Sequence, residues 1–381
     1  MSKGGHFLAR QPKKKTKTWV VVVAVILAVI LLLGALAAWF VVSKMNKINR
    51  ADRGDNQLSA EDIGKYMIEG TTAPTEATTV PTTEATTAPT EETKPDYGKL
   101  GKIVNFLLIG QDARPGEDSK NSDTVLLVSV NKETKKITMI SFLRDSFVVI
   151  PKVYDTYGNE HSGQTKLTLA YAMGYKWGGD LGAMEIMDQV IERNFGAVVD
   201  YNVEINLDAF DAIINAVGYI TADLDEDEAA YMNEKFKDYP DRNFKVGENR
   251  LDGWAAEEYA RMRHSSNADN DYKRTARQRT VVSQVLERVK GMNVMQINAL
   301  VDELLDKVLT DMTNSDITTC ITELLPLLPE MTMDSLQCPN ADMDLSGKLI
   351  DLFKDGSPEQ SIQTFTESKA KAIITAITED D

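Results

Sequence analysis

Cysteine and histidine are scarce in this chain, whose 381 residues include two cysteines and three histidines. The histidines are His6, His161 and His264, so a catalytic relay built on histidine has few candidates. The cysteines, Cys320 and Cys338, have no histidine near them in the sequence, which argues against a zinc site. The sequence is equally compatible with a disulfide between them and with two buried free thiols.

Three common catalytic motifs are also absent. The chain has no Gly-x-x-x-x-Gly-Lys-Ser/Thr loop for nucleotide phosphates, no Gly-x-Ser-x-Gly turn for a nucleophilic serine and no His-Glu-x-x-His helix for zinc. These absences count against P-loop phosphate transfer, the common serine-hydrolase plan and zinc proteolysis.

Positive charge is in deficit, because 58 acidic residues outnumber 42 basic ones and leave a net charge of -16. Residues 1–53 carry +9, so the rest of the chain carries -25. Sequence-independent binding of nucleic acid depends on cations that neutralise phosphates. No nucleic-acid partner is therefore expected.

A long apolar run, Trp19–Val42, contains 24 residues and no charge. As a helix it would reach ~36 Å, enough to cross a hydrocarbon core of about 30 Å. A cleaved signal peptide is the alternative, but its apolar region usually has only about 7 to 15 residues. Basic residues before the run predict a cytoplasmic tail over 1–18, one transmembrane helix over 19–42 and an extracytoplasmic C-terminal domain in the cell membrane.

Residues 43–96 are predicted to be a juxtamembrane segment and a linker. From Thr71 to Pro95, 11 of 25 residues are threonine and four are proline, with glutamate interspersed. Because this segment has little to bury, we expect a disordered, extended stalk that holds the next domain away from the membrane.

Residues 97–291 are predicted to form the main domain. Short apolar runs predict buried strands at Ile103–Ile109, Thr124–Val130 and Ile137–Ser141. Apolar residues at helical spacing predict helices at Leu181–Arg193, Asp208–Val217 and Arg274–Lys290, and alternation predicts a strand at Val198–Asn206. This order indicates an α/β fold, an α-β-α sandwich around a central mixed sheet.

Residues 292–381 contain 17 acidic residues and five lysines, and are predicted to be an acidic helical extension. The expected helices are chiefly Ile297–Leu309 and Ile317–Leu328. The extension would cover the core or form a small appendage.

The acidic body turns basic between Arg250 and Arg279, where seven basic residues fall within 30 positions and six of them are arginine. Arginine suits planar, bidentate contacts with phosphate oxygens, although a solvated charged face would look similar. Polar residues at predicted strand ends form a second set: Asp112, Asp123 and the pair Arg144-Asp145. Two carboxylates on neighbouring loops could bind Mg²⁺ together with phosphate, or could each be a turn residue.

Several motifs in order resemble the LytR-CpsA-Psr family of the bacterial cell envelope, over about residues 102–290. They are the Leu-Leu-Ile-Gly-x-Asp segment within Asn105–Asp112, Ser122-Asp123-Thr124, Arg144-Asp145, Leu251-Asp252-Gly253, Tyr259-Ala260-Arg261-Met262-Arg263, and Asp271-Tyr272-Lys273-Arg274 followed by Arg277-Gln278. The predicted short tail, single anchor and outer domain also match the layout of the family.

The resemblance implies an α-β-α sandwich whose cleft takes the apolar tail of a polyprenyl diphosphate-linked glycan. Family members move an anionic or capsular glycopolymer such as teichoic acid, with one phosphate, to a hydroxyl of peptidoglycan, using Mg²⁺. The implied partners are therefore the polyprenyl diphosphate-linked glycopolymer, peptidoglycan and the cytoplasmic membrane.

Residue roles carry over from the matching motifs. The resemblance implies metal ligands at Asp112 and Asp123, diphosphate-binding residues at Arg144, Arg261, Arg263, Arg274 and Gln278, and catalytic roles for Arg144, Arg261, Arg263 and Asp271. Asp271 would be a general base or would orient the arginines. The family often has arginine where this chain has Asn121, so one diphosphate contact is missing or supplied by Arg114; Leu143 replaces a common proline.

Two other functions remain open at this stage. One is a non-catalytic envelope protein that binds polymer or regulates, and the other is a hydrolase of polyprenyl diphosphates that uses water as acceptor. The 18 residues before the apolar run are too few for a DNA-binding domain.

Overall fold

The computed structural model describes residues 49–51, 68–69, 100–111, 121–154, 160–262, 269–293, 296–297, 299–300, 304, 307–352 and 358–379. The predicted tail, the apolar run and nearly all of the predicted linker lie outside these residues, as do Asp112, Arg114 and Arg263. Within the described ranges, no helix is both long and apolar enough to cross a membrane.

The elements alternate along the chain as the sequence pattern predicts. The strands are β1 Asn49–Arg50, β2 Ile68–Glu69, β3 Ile103–Gln111, β4 Ser122–Asn131, β5 Lys136–Phe142, β6 Phe147–Tyr154, β7 Glu160–Lys166, β8 Tyr201–Ile205, β9 Ile220–Leu224, β10 Gly247–Leu251, β11 Val308–Thr310, β12 Thr332–Cys338, β13 Ser346–Ile350 and β14 Gln360–Thr364. The helices are α1 Leu167–Phe195, α2 Leu207–Ala216, α3 Glu226–Lys235, α4 Gly253–Arg261, α5 Asp269–Lys290, α6 Asn314–Leu324 and α7 Glu367–Thr378, with short 3-10 turns at Leu328–Glu330 and Ala341–Met343.

A seven-stranded sheet in the order β1-β11-β8-β3-β4-β5-β12 forms the centre of the fold. The three predicted apolar runs are its middle strands, which pair antiparallel. Strand β8 lies parallel to β3, and β12 lies parallel to β5. The predicted α/β fold with a central mixed sheet is confirmed.

Helices cover both faces of this sheet. Successive strand residues point to opposite faces, so Leu107 of β3 packs in the buried cluster that includes α1 and α7. Leu108 instead packs against the cluster of β4 and β5 that α5 and α6 also contact. On the second face, Val282 and Leu286 of α5 contact the cluster formed by β4 and β5. A cleft opens on this second face, beside α5.

The chain after residue 291 differs from the helical extension that its sequence predicts. The helix expected at Ile317–Leu328 corresponds to α6. Of the helix expected at Ile297–Leu309, the described residues 297, 299, 300 and 304 are helical, but its expected end at Leu309 lies in β11. Strand β12 pairs with β5 over its full length, and α7 contributes Ala370 and Ile374 to the core. Strand β12 is polar and half-exposed, so its sequence carries no apolar signal, and pairing with the edge of β5 makes it a strand. The described residues, from 49 to 379, all belong to one compact unit.

Both cysteines are free thiols in the structure. Cys338 is fully buried at the end of β12, with its Sγ 3.6 Å from the sulfur of Met343. Cys320 lies on α6, where burial and then the carboxylates of Asp316 and Asp200 raise its pKa to about 12. Near neutral pH, neither cysteine therefore presents an accessible thiolate.

We therefore expect both thiols of the native, unreduced protein to resist iodoacetamide at pH 8, since alkylation requires the thiolate. Denaturation without reductant should expose two alkylable thiols per chain, counted by mass spectrometry. A denatured chain that gains label only after reduction would show a disulfide instead.

Candidate functional site

A cleft of about 380 Å³ opens between the α5 face of the sheet and helices α2, α3 and α4. Its apolar wall consists of Leu108, Leu126, Ile205, Leu207, Phe210 and Val282. The rest of the lining is polar or charged and includes Asp123, Lys235, Glu257, Glu258, Arg261, Arg274 and Gln278. The cleft thus combines an apolar wall with charged side chains of both signs.

The ends of β3 and β4 bring the first polar residues to the cleft. Gly110 is paired with Thr124, and a Cβ atom on Gly110 would lie 2.8 Å from the Cβ of Thr124, closer than side-chain carbons pack. Glycine is therefore required for this pairing, and the next pair, Gln111 with Ser122, skips Asp123, which is the extra residue of a bulge in β4. The pairing is interrupted just after Gly110, where the register shifts at Gln111.

Arg144 is held by its backbone immediately after β5. Its carbonyl accepts a hydrogen bond from Thr168 N at 3.0 Å at the start of α1, and the preceding Leu143 N bonds to Cys338 O at 2.9 Å. Its side chain forms an ion pair with Asp123, which lines the cleft. Because β12 and α1 both fix this loop, the guanidinium has a defined place beside the strand ends.

Four charged residues alternate in sign around this point. The Arg144 guanidinium contacts Asp123 and lies 3.7 Å from Asp271 of α5, and Arg274 contacts Asp271 and lies 4.0 Å from Asp123. Asp271 and Arg274 are three residues apart on α5, which places them on one face of the helix. The two arginines are thus oriented by two shared carboxylates.

Burial and neighbouring charge act in opposite directions on Arg144. Burial alone lowers its pKa, but the carboxylates of Asp123, Asp145 and Asp271 outweigh that effect, so the pKa of the guanidinium is raised. Asp145 is also paired with Lys166, at 3.2 Å. Arg144 therefore keeps its positive charge in a partly desolvated place, where a charge acts strongly on an anionic ligand.

Arg261 reaches the cleft from the last turn of α4. The motif Leu251-Asp252-Gly253 begins this helix: Asp252 caps it by accepting a hydrogen bond from Ala255 N at 3.0 Å. Gly253 allows α4 to approach α2 closely, because a Cβ at this position would lie 1.9 Å from Asp211 Oδ1. At the other end, Glu257 accepts a hydrogen bond of 2.7 Å from Arg261 and holds it against the helix.

The structure brings together six of the eight residues to which the sequence assigns a role. Four of them line the cleft (Asp123, Arg261, Arg274 and Gln278), and Arg144 and Asp271 contact members of that set. Arg263 and Asp112 lie outside the described residues. Sequence reasoning did not identify the apolar wall, because residues such as Leu207 and Phe210 occur in an ordinary amphipathic helix, and it also missed Glu257 and Lys166.

Carboxylates in the described part of the chain do not form a group of three or more that could hold a metal ion by themselves. Asp123 lines the cleft and offers the hard oxygen that Mg²⁺ prefers. Its carboxylate already faces Arg144 and Arg274. This donor set fits a cation only if substrate oxygens complete the coordination.

Comparison with known proteins decides the family. The LytR_cpsA_psr family model matches residues 69–367. The chain belongs to this family. This extends the resemblance seen in residues 102–290 across β11, β12 and the start of α7, in agreement with their place in the fold.

Two curated relatives carry different names. The chain is 30% identical over 220 residues to polyisoprenyl-teichoic acid–peptidoglycan teichoic acid transferase TagU of Oceanobacillus iheyensis, covering 58% of this chain and 62% of that protein. It is 32% identical over 215 residues to biofilm regulatory protein A of Streptococcus mutans, covering 53% of this chain and 50% of that protein. The matched region thus spans only about half to three fifths of these relatives.

Solved structures of LytR-CpsA-Psr relatives share the fold. A Streptococcus agalactiae protein gives a TM-score of 0.56 at 26% identity, over 72% of this chain and 86% of that one. Bacillus subtilis TagT gives 0.52 at 22% identity, over 75% of this chain and 93% of that one.

Proposed function

We propose that the protein is a transferase that moves an anionic or capsular glycopolymer, with one phosphate, from a polyprenyl diphosphate carrier to a hydroxyl of peptidoglycan. We further propose that it acts at the outer face of the cytoplasmic membrane, with residues 19–42 as a single span, an N-terminal tail in the cytoplasm and no nucleic-acid partner. Relatives named as teichoic acid transferases support the transferase part of this proposal.

The observation that carries the proposal is the pairing of two chemistries in one cleft. An isoprenoid chain needs an apolar channel, and the wall around Phe210 and Val282 supplies one. A diphosphate needs planar cations with several donors, and Arg261 and Arg274 line the same cleft. A protein that bound only a soluble sugar or only a polyanion would have no use for the apolar wall.

In the proposed reaction, an acceptor hydroxyl attacks the phosphorus that bears the glycan. A new bond forms between the hydroxyl oxygen and this phosphorus, and the bond from the same phosphorus to the bridging oxygen of the diphosphate breaks. Polyprenyl monophosphate leaves with the bridging oxygen and the electron pair. The arginines stabilise charge on the equatorial and leaving oxygens, which is the largest contribution a protein makes to such a step. Asp271 contacts Arg274 and lies near Arg144, so it is a positioning residue for both or the base that accepts the proton of the hydroxyl.

Mg²⁺ remains part of the proposal as the cofactor. Asp123, together with Asp112 outside the described residues, would hold it, and diphosphate oxygens would complete its coordination. When bound, it would neutralise charge on the diphosphate.

The proposal is tested with the full-length protein in detergent, a polyprenyl diphosphate-linked teichoic acid precursor, a peptidoglycan oligosaccharide and Mg²⁺. We expect polymer joined to the oligosaccharide through a phosphodiester, together with polyprenyl monophosphate, both detected by mass spectrometry. Donor breakdown without a joined product would identify a hydrolase. Donor binding without turnover would identify a polymer-binding or regulatory protein, the function suggested by the name of the Streptococcus mutans relative.

The apolar wall gives a separate prediction. Phe210→Asp should raise KM for the lipid-linked donor by about tenfold or more, because a carboxylate would be desolvated beside the isoprenoid. Phe210→Leu keeps the wall apolar and should change KM by less than about threefold. Steady-state kinetics with long-chain and short-chain donors provide the measurement; an equal KM for Phe210→Asp and the wild type would place the lipid elsewhere.

A further inference from the structure

Two arginines stack on one tyrosine outside the cleft. The guanidinium carbon of Arg250 lies 4.7 Å from the ring centre of Tyr219, and that of Arg288 lies 3.9 Å from it. Three elements meet here: Arg250 of β10 is paired with Thr221 of β9, and the Thr221 hydroxyl donates a 2.6 Å hydrogen bond to Gln284 of α5, one turn before Arg288. We call these three residues, Arg250, Tyr219 and Arg288, the arginine–tyrosine cluster.

The two arginines of this cluster differ from Arg242 in their ion pairs. Within the described ranges, neither Arg250 nor Arg288 forms an ion pair with a carboxylate. Arg242 is the informative contrast, because it also stacks on aromatic rings but makes two hydrogen bonds to Asp252, at 3.0 and 2.6 Å. Stacking in this protein therefore does not by itself imply an uncompensated charge.

The arginine–tyrosine cluster lies outside the cleft that is proposed to bind the diphosphate. None of its residues lines the cleft, although Arg250 belongs to the basic stretch that the sequence singles out. Arg250 is exposed, and Tyr219 and Arg288 are half-buried. Two guanidinium groups held near one ring thus offer donors that solvent can reach, and the strand register places Glu248 and Asp223 on the same face as Arg250.

We propose that the arginine–tyrosine cluster binds phosphodiester groups of the anionic polymer being transferred, as a second site away from the reacting diphosphate. The choice of ligand rests on the proposed function. Guanidinium groups offer planar pairs of donors that match phosphate oxygens, and stacking on Tyr219 orients both without neutralising them. The distances to the ring centre keep the two guanidiniums close enough to act on one polymer segment.

The test measures binding of a fluorescent, lipid-free glycerol phosphate oligomer to the full-length protein by anisotropy. We expect the double variant Arg250→Gln/Arg288→Gln to bind roughly tenfold more weakly, with a smaller dependence on ionic strength. Tyr219→Leu should also weaken binding, because the arginines lose their common support, whereas Tyr219→Phe keeps the ring and should bind as the wild type does. Unchanged melting temperatures confirm that these variants are folded.

Arg193→Gln is the matched control for charge. Arg193 is paired with Glu367 at 2.7 Å on a different part of the fold, so its loss should leave oligomer binding unchanged. Equal weakening by Arg193→Gln would mean that only net charge matters and would overturn the proposal, as would unchanged binding by the double variant. An effect confined to phosphatidylglycerol vesicles, with no change for the soluble oligomer, would assign the cluster to lipid headgroups and also overturn it.

This assay separates the cluster from the transferase proposal. The oligomer has no lipid and no diphosphate, so an inactive Arg144→Ala protein should still bind it. If no transfer occurs under any condition but the binding pattern holds, the proposed reaction fails and the polymer site stands. If transfer occurs and the double variant binds as tightly as the wild type, the polymer site fails alone.

Discussion

Replacing Arg144 with alanine is expected to lower the transfer rate by about 10² to 10³ while leaving the fold intact. Loss of one preorganised donor to developing negative charge typically has this effect on kcat. Arg144 fits that role because its guanidinium is charged, partly desolvated and in contact with Asp123, which lines the cleft. Single-turnover assays with excess protein would measure the chemical step directly.

The fold should tolerate this change because the neighbouring carboxylates keep other partners. Asp145 retains Lys166, and Asp271 retains Arg274. The Arg144 side chain is 24% exposed and Asp123 keeps Arg274 at 4.0 Å, so we expect a smaller loss of stability than the about 3 to 5 kcal/mol that follows when one partner of a buried pair is removed. A thermal melt of the full-length protein in detergent tests this part.

Arg144→Lys distinguishes charge from geometry. Lysine keeps a positive charge but cannot reproduce the planar fork, so we expect it to recover only part of the lost rate. Arg193→Ala removes an arginine far from the cleft and should leave transfer unchanged. An Arg144→Ala protein that melts normally and transfers at the wild-type rate would remove Arg144 from the site.

The central strands could be predicted because their signal is local. The predicted runs match β3, β4 and β5 closely; they are Ile103–Ile109, Thr124–Val130 and Ile137–Ser141. Strands that are buried on both faces have continuous apolar sequences, which can be recognised without knowledge of the neighbouring strands. Strand β12 could not be predicted, because its polar residues become a strand only through pairing with the edge of β5. Its tertiary partner, rather than its own composition, determines its structure.

In the candidate site, too, the sequence predicted the residue types but not their arrangement. Motif order predicted roles for Asp123, Arg144, Asp271 and Arg274, but it could not reveal that the two acids each face both arginines. Those contacts join β4, the loop after β5 and α5, which are separated widely in sequence. The sequence predicted Asp123 as a metal ligand, whereas its contacts with the two arginines depend on the packing of these three elements in the fold.

Arg277 belongs to the same basic stretch as Arg274, yet its contacts indicate a structural role. It is 3% exposed, pairs with Glu228 of α3 at 3.0 Å, donates a hydrogen bond to Met262 O after α4, and lies 5.9 Å from the ring of Tyr259. It therefore joins α3, α4 and α5, three helices that contribute residues to the lining of the cleft. A phosphate could not reach it without displacing these contacts.

Arg277→Ala is accordingly expected to lower the free energy of unfolding by about 3 to 5 kcal/mol, because it leaves the Glu228 carboxylate buried without its partner. Urea denaturation of the full-length protein in detergent provides the measurement. Adding Glu228→Gln to Arg277→Ala should recover part of the loss, since the uncompensated charge is then gone. Arg144→Ala, by contrast, should reduce transfer without this loss of stability. If Arg277→Ala were as stable as the wild type but inactive, Arg277 would belong to the phosphate-binding arginines, and the division of the basic stretch into functional and structural residues would be wrong.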